Sequence, residues 1–420
     1  MTSMCVYCNE SNDFNGEHIF SAGLGGDDRA YMLTDCVCRS CNSLFSALEA
    51  ELLRKSPAGI ARLGMQESGR GKGKRAEPPK LQTADTYIFD EENGFILEAE
   101  LQPKFEAKLA PQIILNLPAI NLVAESDDSL TPFIDKLRLI FSEEAILAVQ
   151  KIATSGGATF KVSRIEKRDK YFVVENVIEA SVPPNNAIWL VIPEGSFSGD
   201  QDGNDYTLHP RFYLHNGKTI NYKSQDMDSL TQHLVAVSNF LYLHPQMPEH
   251  ESKQIDQPRA KVGISFDFHK SERALAKIGF NFLIKIMGAD YARDEAFANI
   301  KSSILKGEPQ LPASKMPGDE LNLFIGTPPH DHHVLFLHAL PIRDGRAMIT
   351  FMIKLYGGEP SFFVLSYDAP APNWGLPIYF LINYQQHKIN KIDSMVYIRN
   401  YCGALMQLSP LASSPMTAPE

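Results

Sequence analysis

The chain has 420 residues, 44% of them hydrophobic and 21% charged, with a formal net charge of −10. That length accommodates two or three domains, and the composition is that of an ordinary globular protein, not a disordered or fibrous one. No apolar run approaches the ~20 residues a bilayer-crossing helix needs. The start, Met1 to Cys5, lacks the basic and apolar stretches of a secretory leader, so a cytoplasmic protein with no membrane partner is expected.

The charge is unevenly spread. Residues 1–53 hold 2 Lys/Arg against 8 Asp/Glu, whereas residues 54–80 hold 8 against 2. A basic segment on an acidic chain can still contact phosphates, so nucleic acid is not excluded as a partner.

The chain opens with two Cys-x-x-Cys pairs, Cys5/Cys8 and Cys38/Cys41, with 29 residues between them. In a reducing compartment this spacing predicts four thiolates around a structural zinc, whose tetrahedral sphere is then closed to substrate. Cys36 and Cys402 are left over and read as buried small residues. Between the pairs, Glu17–Ser21 and Tyr31–Asp35 read as short strands joined across Gly23, Gly25 and Gly26. From Ser40 a helix is predicted, because Cys41, Leu44, Phe45, Leu48 and Leu52 recur on one face. A unit this small needs a metal or a partner domain to hold together.

Residues 66–80, QESGRGKGKRAEPPK, have no hydrophobic periodicity and read as a flexible basic linker that could track phosphates. Beyond residue 83 an α+β pattern follows. TYIFD, GFILEAEL, ATFKVSRIE, KYFVVENVI and AIWLVIP read as strands, and RFYLHNGKTINYK as a tight Asn-Gly hairpin. Helices are predicted over residues 130–154, 227–244, 271–288 and 292–306. In the third of these, Leu275, Ile278, Gly279, Phe282 and Ile286 share a face. Residues 247–261 form a polar break. HVLFLHAL, GRAMITFMIKLY, SFFVLSY and LPIYFLINY read as strands of a last sheet, and the tail from Ser409 as disordered. The expected division is 1–56, 57–82 (linker), 83–260, 261–408 and 409–420 (tail).

The stretch CVYC…EHIF…LGG…DCVCRSCNSLF resembles the zinc-stapled HNH endonucleases. The resemblance is specific over about the first 55 residues; more loosely, the basic continuation and ERALAKIGFNFLIKIMG look like longer bacterial members. It implies a ββα-metal module within an overall α+β fold. It also implies DNA nicking at phosphodiester bonds that leaves 5′-phosphate and 3′-hydroxyl ends, with RNA as the other substrate to test. By position, His18 would be the general base, and Glu17 and Asn42 would be ligands of a catalytic cation. Asp35 would orient His18 or the hairpin. Asn42 stands where many members have His, which suggests a hard cation, Mg²⁺ or Mn²⁺. Asp35 departs from the usual Asn. The remainder of the chain would recognise a target or regulate the nuclease, in bacterial defence against phage or foreign DNA, through a homodimer or a defence complex. The competing reading is a non-catalytic four-cysteine zinc finger that binds nucleic acid or acts as an adaptor.

Two other constellations are weaker. PPHDHHVLFLH gathers His330, Asp331, His332, His333 and His338, but strand alternation puts His332 and His333 on opposite faces. SGDQDGNDYT lacks the glycine position and closing glutamate of a calcium loop. No Walker-type phosphate loop is present, so energy coupling would need a separate motor subunit.

Overall fold

The computed structural model describes residues 4–26, 29–69, 78–83, 85–154, 157–193, 206–246, 258–311, 318–343, 345–373 and 377–403. Residues 1–82 carry β1 (Glu17–His18), β2 (Met32–Leu33), α1 (Arg39–Arg54) and α2 (Pro57–Met65). Next come β3 (Thr86–Asp90), β4 (Phe95–Leu101), β5 (Ala107–Leu109), β6 (Gln112–Asn116), β7 (Ala119–Val123) and α3 (Asp127–Ser142). They are followed by β8 (Ala145–Thr154), β9 (Gly157–Arg168), β10 (Tyr171–Ala180), β11 (Ile188–Val191), β12 (Arg211–His215) and β13 (Thr219–Lys223). After these lie α4 (Leu230–Leu243), β14 (Ala260–Val262), α5 (Phe268–Met287), α6 (Ala289–Ala292), α7 (Ala298–Lys306) and α8 (Gly318–Ile325). The chain closes with β15 (His332–Arg343), β16 (Arg346–Lys354), β17 (Ser361–Pro370), β18 (Ile378–Asn383), β19 (Lys388–Ile392) and α9 (Ser394–Tyr401). The fold class is α+β. Among the described residues, no helix is long and apolar enough to cross a membrane.

The chain forms two compact units, one of Met1–Gln82, Pro103–Phe105 and Ile264–Glu420, the other of Thr83–Gln102 and Glu106–Gly263. This division differs from the expected one, in which residues 1–56 and 261–408 stand apart. The physical reason is a shared core: Phe20, Leu24, Phe45 and Leu48 pack in one cluster with Ile278, Phe282, Phe351 and Phe380. The partner surface that the small N-terminal module requires is therefore supplied from the C-terminal part of the chain.

In this first unit the last sheet has the order β17-β16-β15-β18-β19, antiparallel throughout. Helix α5 is buried around its whole middle, from Ala274 through Ile284 apart from Leu275, rather than along one face as predicted. Gly279 permits its approach to the sheet, because a Cβ there would fall 2.4 Å from the ring of Phe351. Gly25 lies in the left-handed region at φ 83°, and a Cβ on it would fall 2.4 Å from Tyr384 Cα, so the Gly-Gly turn after β1 is set by space as well as by backbone angle.

The expected linker over 57–82 begins instead with α2, capped by Ser56 Oγ, which accepts the Gly59 amide, and opened by Pro57. Residues 70–77, the most basic part of that segment, lie outside the described residues. The helix expected over 292–306 is broken: Asp294 Oδ1 accepts the Ala296 amide at 2.9 Å and starts a new turn ahead of α7.

The second unit holds an eight-stranded sheet of order β10-β9-β8-β11-β13-β12-β6-β7 and a four-stranded sheet, β14-β3-β4-β5. Helices α3 and α4 cover the larger sheet through Phe133, Leu137, Leu234 and Val237. The helix expected to run to residue 154 ends at Ser142, and residues 145–154 form β8. Its Ile146 and Ala148 enter the α3/α4 core while Val149 packs in a separate cluster with Val162. Apolar residues covered on both faces of a strand mimic helical periodicity. The Asn-Gly hairpin is as expected, with Asn216 and Gly217 both at positive φ between β12 and β13. The polar break at 247–261, the calcium-like loop and the tail from Ser409 lie wholly or mostly outside the described residues.

Candidate functional site

Cys5 and Cys8 flank a turn that Asn9 closes at φ 57°, its amide donating to the Cys5 carbonyl at 3.0 Å. Cys38 is the N-cap of α1 and Cys41 lies in its first turn. The four Sγ atoms lie within 4.8 Å of one another. Cys5 to Cys41 measures 3.9 Å and Cys8 to Cys38 3.7 Å. A tetrahedron with metal–sulfur bonds of about 2.3 Å has edges of about 3.8 Å, so the spacing fits zinc. The Cys38 amide also points at Cys5 Sγ, at 3.4 Å.

The hydrogen shared with Cys41 pulls the Cys5 thiol down to about 4. The same bond pushes Cys41 up, and burial pushes Cys8 up. Thiols this crowded ionise together only when a cation neutralises them. A zinc ion held here would be structural, because all four of its positions are taken by sulfur. Among the described residues this is the one group of three or more His, Cys, Asp or Glu side chains close enough to hold a metal. The leftover thiols are buried, as expected: Cys36 is pushed up to about 11, and Cys402 likewise, by burial.

The hairpin between the pairs is antiparallel, with Glu17 opposite Leu33 and His18 opposite Met32. Strand alternation separates the two predicted site residues. His18 is partly exposed, whereas Glu17 turns inward and is 3% exposed. There Glu17 Oε1 forms an ion pair with Lys277 Nζ on α5 and accepts from Asn281 Nδ2 at 3.1 Å. Lys277 is fully buried and also binds Glu49 Oε1 of α1 at 2.6 Å. Burial raises the Glu17 pKa. Burial works against the Lys277 ammonium, but Glu49 and Glu17 together hold its pKa above the usual lysine value.

Asn42 lies in the first turn of α1, and its Nδ2 donates to the Gly16 carbonyl at 2.7 Å, which leaves Oδ1 as an acceptor. Asp35 is exposed after β2 and accepts the Thr34 hydroxyl at 3.1 Å. The donor set therefore does not fit a hard cation ligated by Glu17. That carboxylate faces the interior, and a dication on it would lie against a fixed like charge, the Lys277 ammonium.

Sequence reasoning missed Tyr7, Glu49, Lys277 and Asn281. The available signal was Lys277 and Asn281, four residues apart in the otherwise apolar stretch of α5 from Ala274 to Ile284, where polar side chains need buried partners. The histidine-rich stretch brings no metal cluster together among the described residues. His332 pairs with Asp331 at 2.7 Å. His333 is buried, accepts the Tyr356 amide on Nδ1 at 3.1 Å and donates from Nε2 to the Leu24 carbonyl at 3.1 Å.

Compared with models of protein families, with curated proteins and with solved structures, the chain matches none of them.

Proposed function

We propose that the chain is a nuclease of the HNH type, hydrolysing DNA phosphodiester bonds one strand at a time. The observation that carries this reading is the four-cysteine cluster, which holds a hairpin with a partly exposed histidine against the start of a helix. In this reading His18 takes the proton from the attacking water. Asn42 ties the helix start to the chain two residues ahead of His18, and zinc fixes the helix start itself. Phosphate contacts come from the basic segment, Arg70, Lys72, Lys74 and Arg75, and the acidic remainder of the chain selects the target or the moment of cutting. No cation step is assigned to Glu17. Defence against foreign DNA is the setting proposed for this activity.

A second reading is a zinc-stapled module without catalysis, which binds nucleic acid or a partner protein. The burial of Glu17 against Lys277 favours it, because that ion pair removes one expected cation ligand. Incubation with supercoiled plasmid, in Mg²⁺ or Mn²⁺ and again in EDTA, separates the two. The nuclease reading expects nicked circles that disappear with EDTA and with His18→Ala, while zinc content is retained. A mobility shift without nicking selects the second reading, and labelled single-stranded RNA in the same assay exposes an RNase.

A further inference from the structure

Four polar contacts join β1 to the C-terminal helix α5. Asn281 Nδ2 donates to Glu17 Oε1 and to the His18 carbonyl, both at 3.1 Å. Lys277 Nζ pairs with Glu17 and lies 3.4 Å from that same carbonyl. The Asn281 amide cannot flip freely, because Tyr7 Oη donates to its Oδ1 at 2.6 Å. Tyr7 lies between Cys5 and Cys8, so the bond starts from the zinc knuckle itself. Glu49 completes the group from α1. Every member is buried or nearly so: Lys277 and Asn281 are 0% exposed, Glu17 3% and Tyr7 4%, with the Glu49 side chain at 17%.

Buried charges and amides with this many partners hold one geometry, since losing any one partner strands the others. The clamp grips the residues on both sides of the Glu17–His18 peptide, and the ring of His18 projects from the opposite side of β1. A carboxylate that is a cation ligand would face the reacting phosphate. This one faces a lysine.

We infer that Glu17 is a positioning residue rather than a cation ligand, and that Asn281 and Lys277 of α5 lock β1 so that His18 is presented correctly. The inference rests on the nuclease reading for its activity consequences, but the clamp itself is a structural claim with its own readout. It also makes the C-terminal helix an integral part of the catalytic module, which is then incomplete as residues 1–56 alone.

The test uses the full chain and three variants: Asn281→Ala, Glu17→Gln and Lys277→Met. Glutamine keeps an acceptor for both Lys277 and Asn281, so Glu17→Gln guards against a Lys277→Met protein that fails to fold. Two quantities are measured: hydrogen exchange of peptides spanning residues 14–24, and plasmid nicking as a function of Mg²⁺ concentration. Positioning expects Asn281→Ala to speed exchange in that peptide and to slow nicking roughly tenfold to a hundredfold, with the half-saturating Mg²⁺ unchanged. Glu17→Gln is expected to slow nicking less than Asn281→Ala and also to leave the half-saturating Mg²⁺ unchanged. The inference is overturned if Glu17→Gln raises the half-saturating Mg²⁺ about tenfold while exchange stays as in the wild type, since that is the behaviour of a cation ligand. It is equally overturned if Asn281→Ala leaves exchange at 14–24 unaltered. A wild-type protein that does not nick removes the nuclease reading, and the exchange measurement then decides the clamp by itself.

Discussion

The side-chain amide of Asn42 donates to the backbone carbonyl of Gly16 at 2.7 Å, fastening the first turn of α1 to the chain just ahead of β1. This bond spans the two halves of the cysteine-framed unit, because Asn42 directly follows Cys41 and Gly16 precedes the Glu17-His18 step. A neutral hydrogen bond of this kind contributes about 1 kcal/mol. Asn42→Ala should therefore lower the unfolding free energy by about that amount in a denaturant titration, with zinc retained. If nicking falls much further than stability does, Asn42 also acts on the substrate side through its free Oδ1.

The cysteine cluster makes a sharper prediction. Replacing Cys8 or Cys41 by serine should abolish stoichiometric zinc and lower the melting temperature, whereas Cys36→Ser and Cys402→Ser should keep about one zinc per chain. Cys36 and Cys402 are buried outside the cluster, so their serine variants lose packing but no ligand. Metal analysis of purified protein, alongside thermal melts with and without a strong chelator, checks both halves. Zinc retained in the Cys41→Ser protein would contradict four-sulfur ligation.

The cysteine frame was legible in the sequence because ligand spacing is local, and α1 was legible because one face of it meets a core. Phe45, Leu48 and Leu52 are buried as their period predicts. Residues 145–154 misled because a strand buried on two sides carries no alternation to distinguish it from a helix. The helix Pro57–Met65 was obscured by the glycine- and lysine-rich run that follows it, although Ser56 and Pro57 form a standard helix start. The inward turn of Glu17 had no local sign at all. It depends on Lys277, which is 260 positions away in the chain, and only the tertiary fold brings the two together.

Gly279 offers a test of how α5 is seated. An added Cβ would fall 2.4 Å from the Phe351 ring, closer than packed atoms approach. Phe351 belongs to the core shared by the N-terminal module and the last sheet. Overpacking at such a site costs about 1–3 kcal/mol, more than the helix-propensity gain of about 1 kcal/mol that alanine brings over glycine. Gly279→Ala should thus destabilise, and Gly279→Val should do so further. A stabilised alanine variant in thermal or denaturant unfolding would show that α5 does not sit against β16 in this way.

His333 links the Gly-Gly turn to the last sheet, and its protonation state gives a pH prediction with a definite sign. Its Nδ1 accepts the Tyr356 amide and its Nε2 donates to Leu24, so both bonds require the neutral ring. Burial lowers its pKa from 6.5 to about 3. In the unfolded chain the ring takes up a proton near pH 6.5, while in the folded chain it does so only near pH 3. Between those values the unfolded state binds more protons, so folding stability rises with pH. The contribution is complete above about pH 6.5 and is lost as the pH falls toward 3, by an amount on the order of 4 kcal/mol. His333→Phe removes the titrating group and both hydrogen bonds, stranding the Tyr356 amide and the Leu24 carbonyl in the core. At pH 7.5 the variant should be less stable than the wild type by about 2–4 kcal/mol, and the gap should narrow steadily in urea titrations taken from pH 6.5 to 4. A gap that stays constant across that range would mean that His333 is already protonated in the folded protein, which its bond to the Tyr356 amide does not allow.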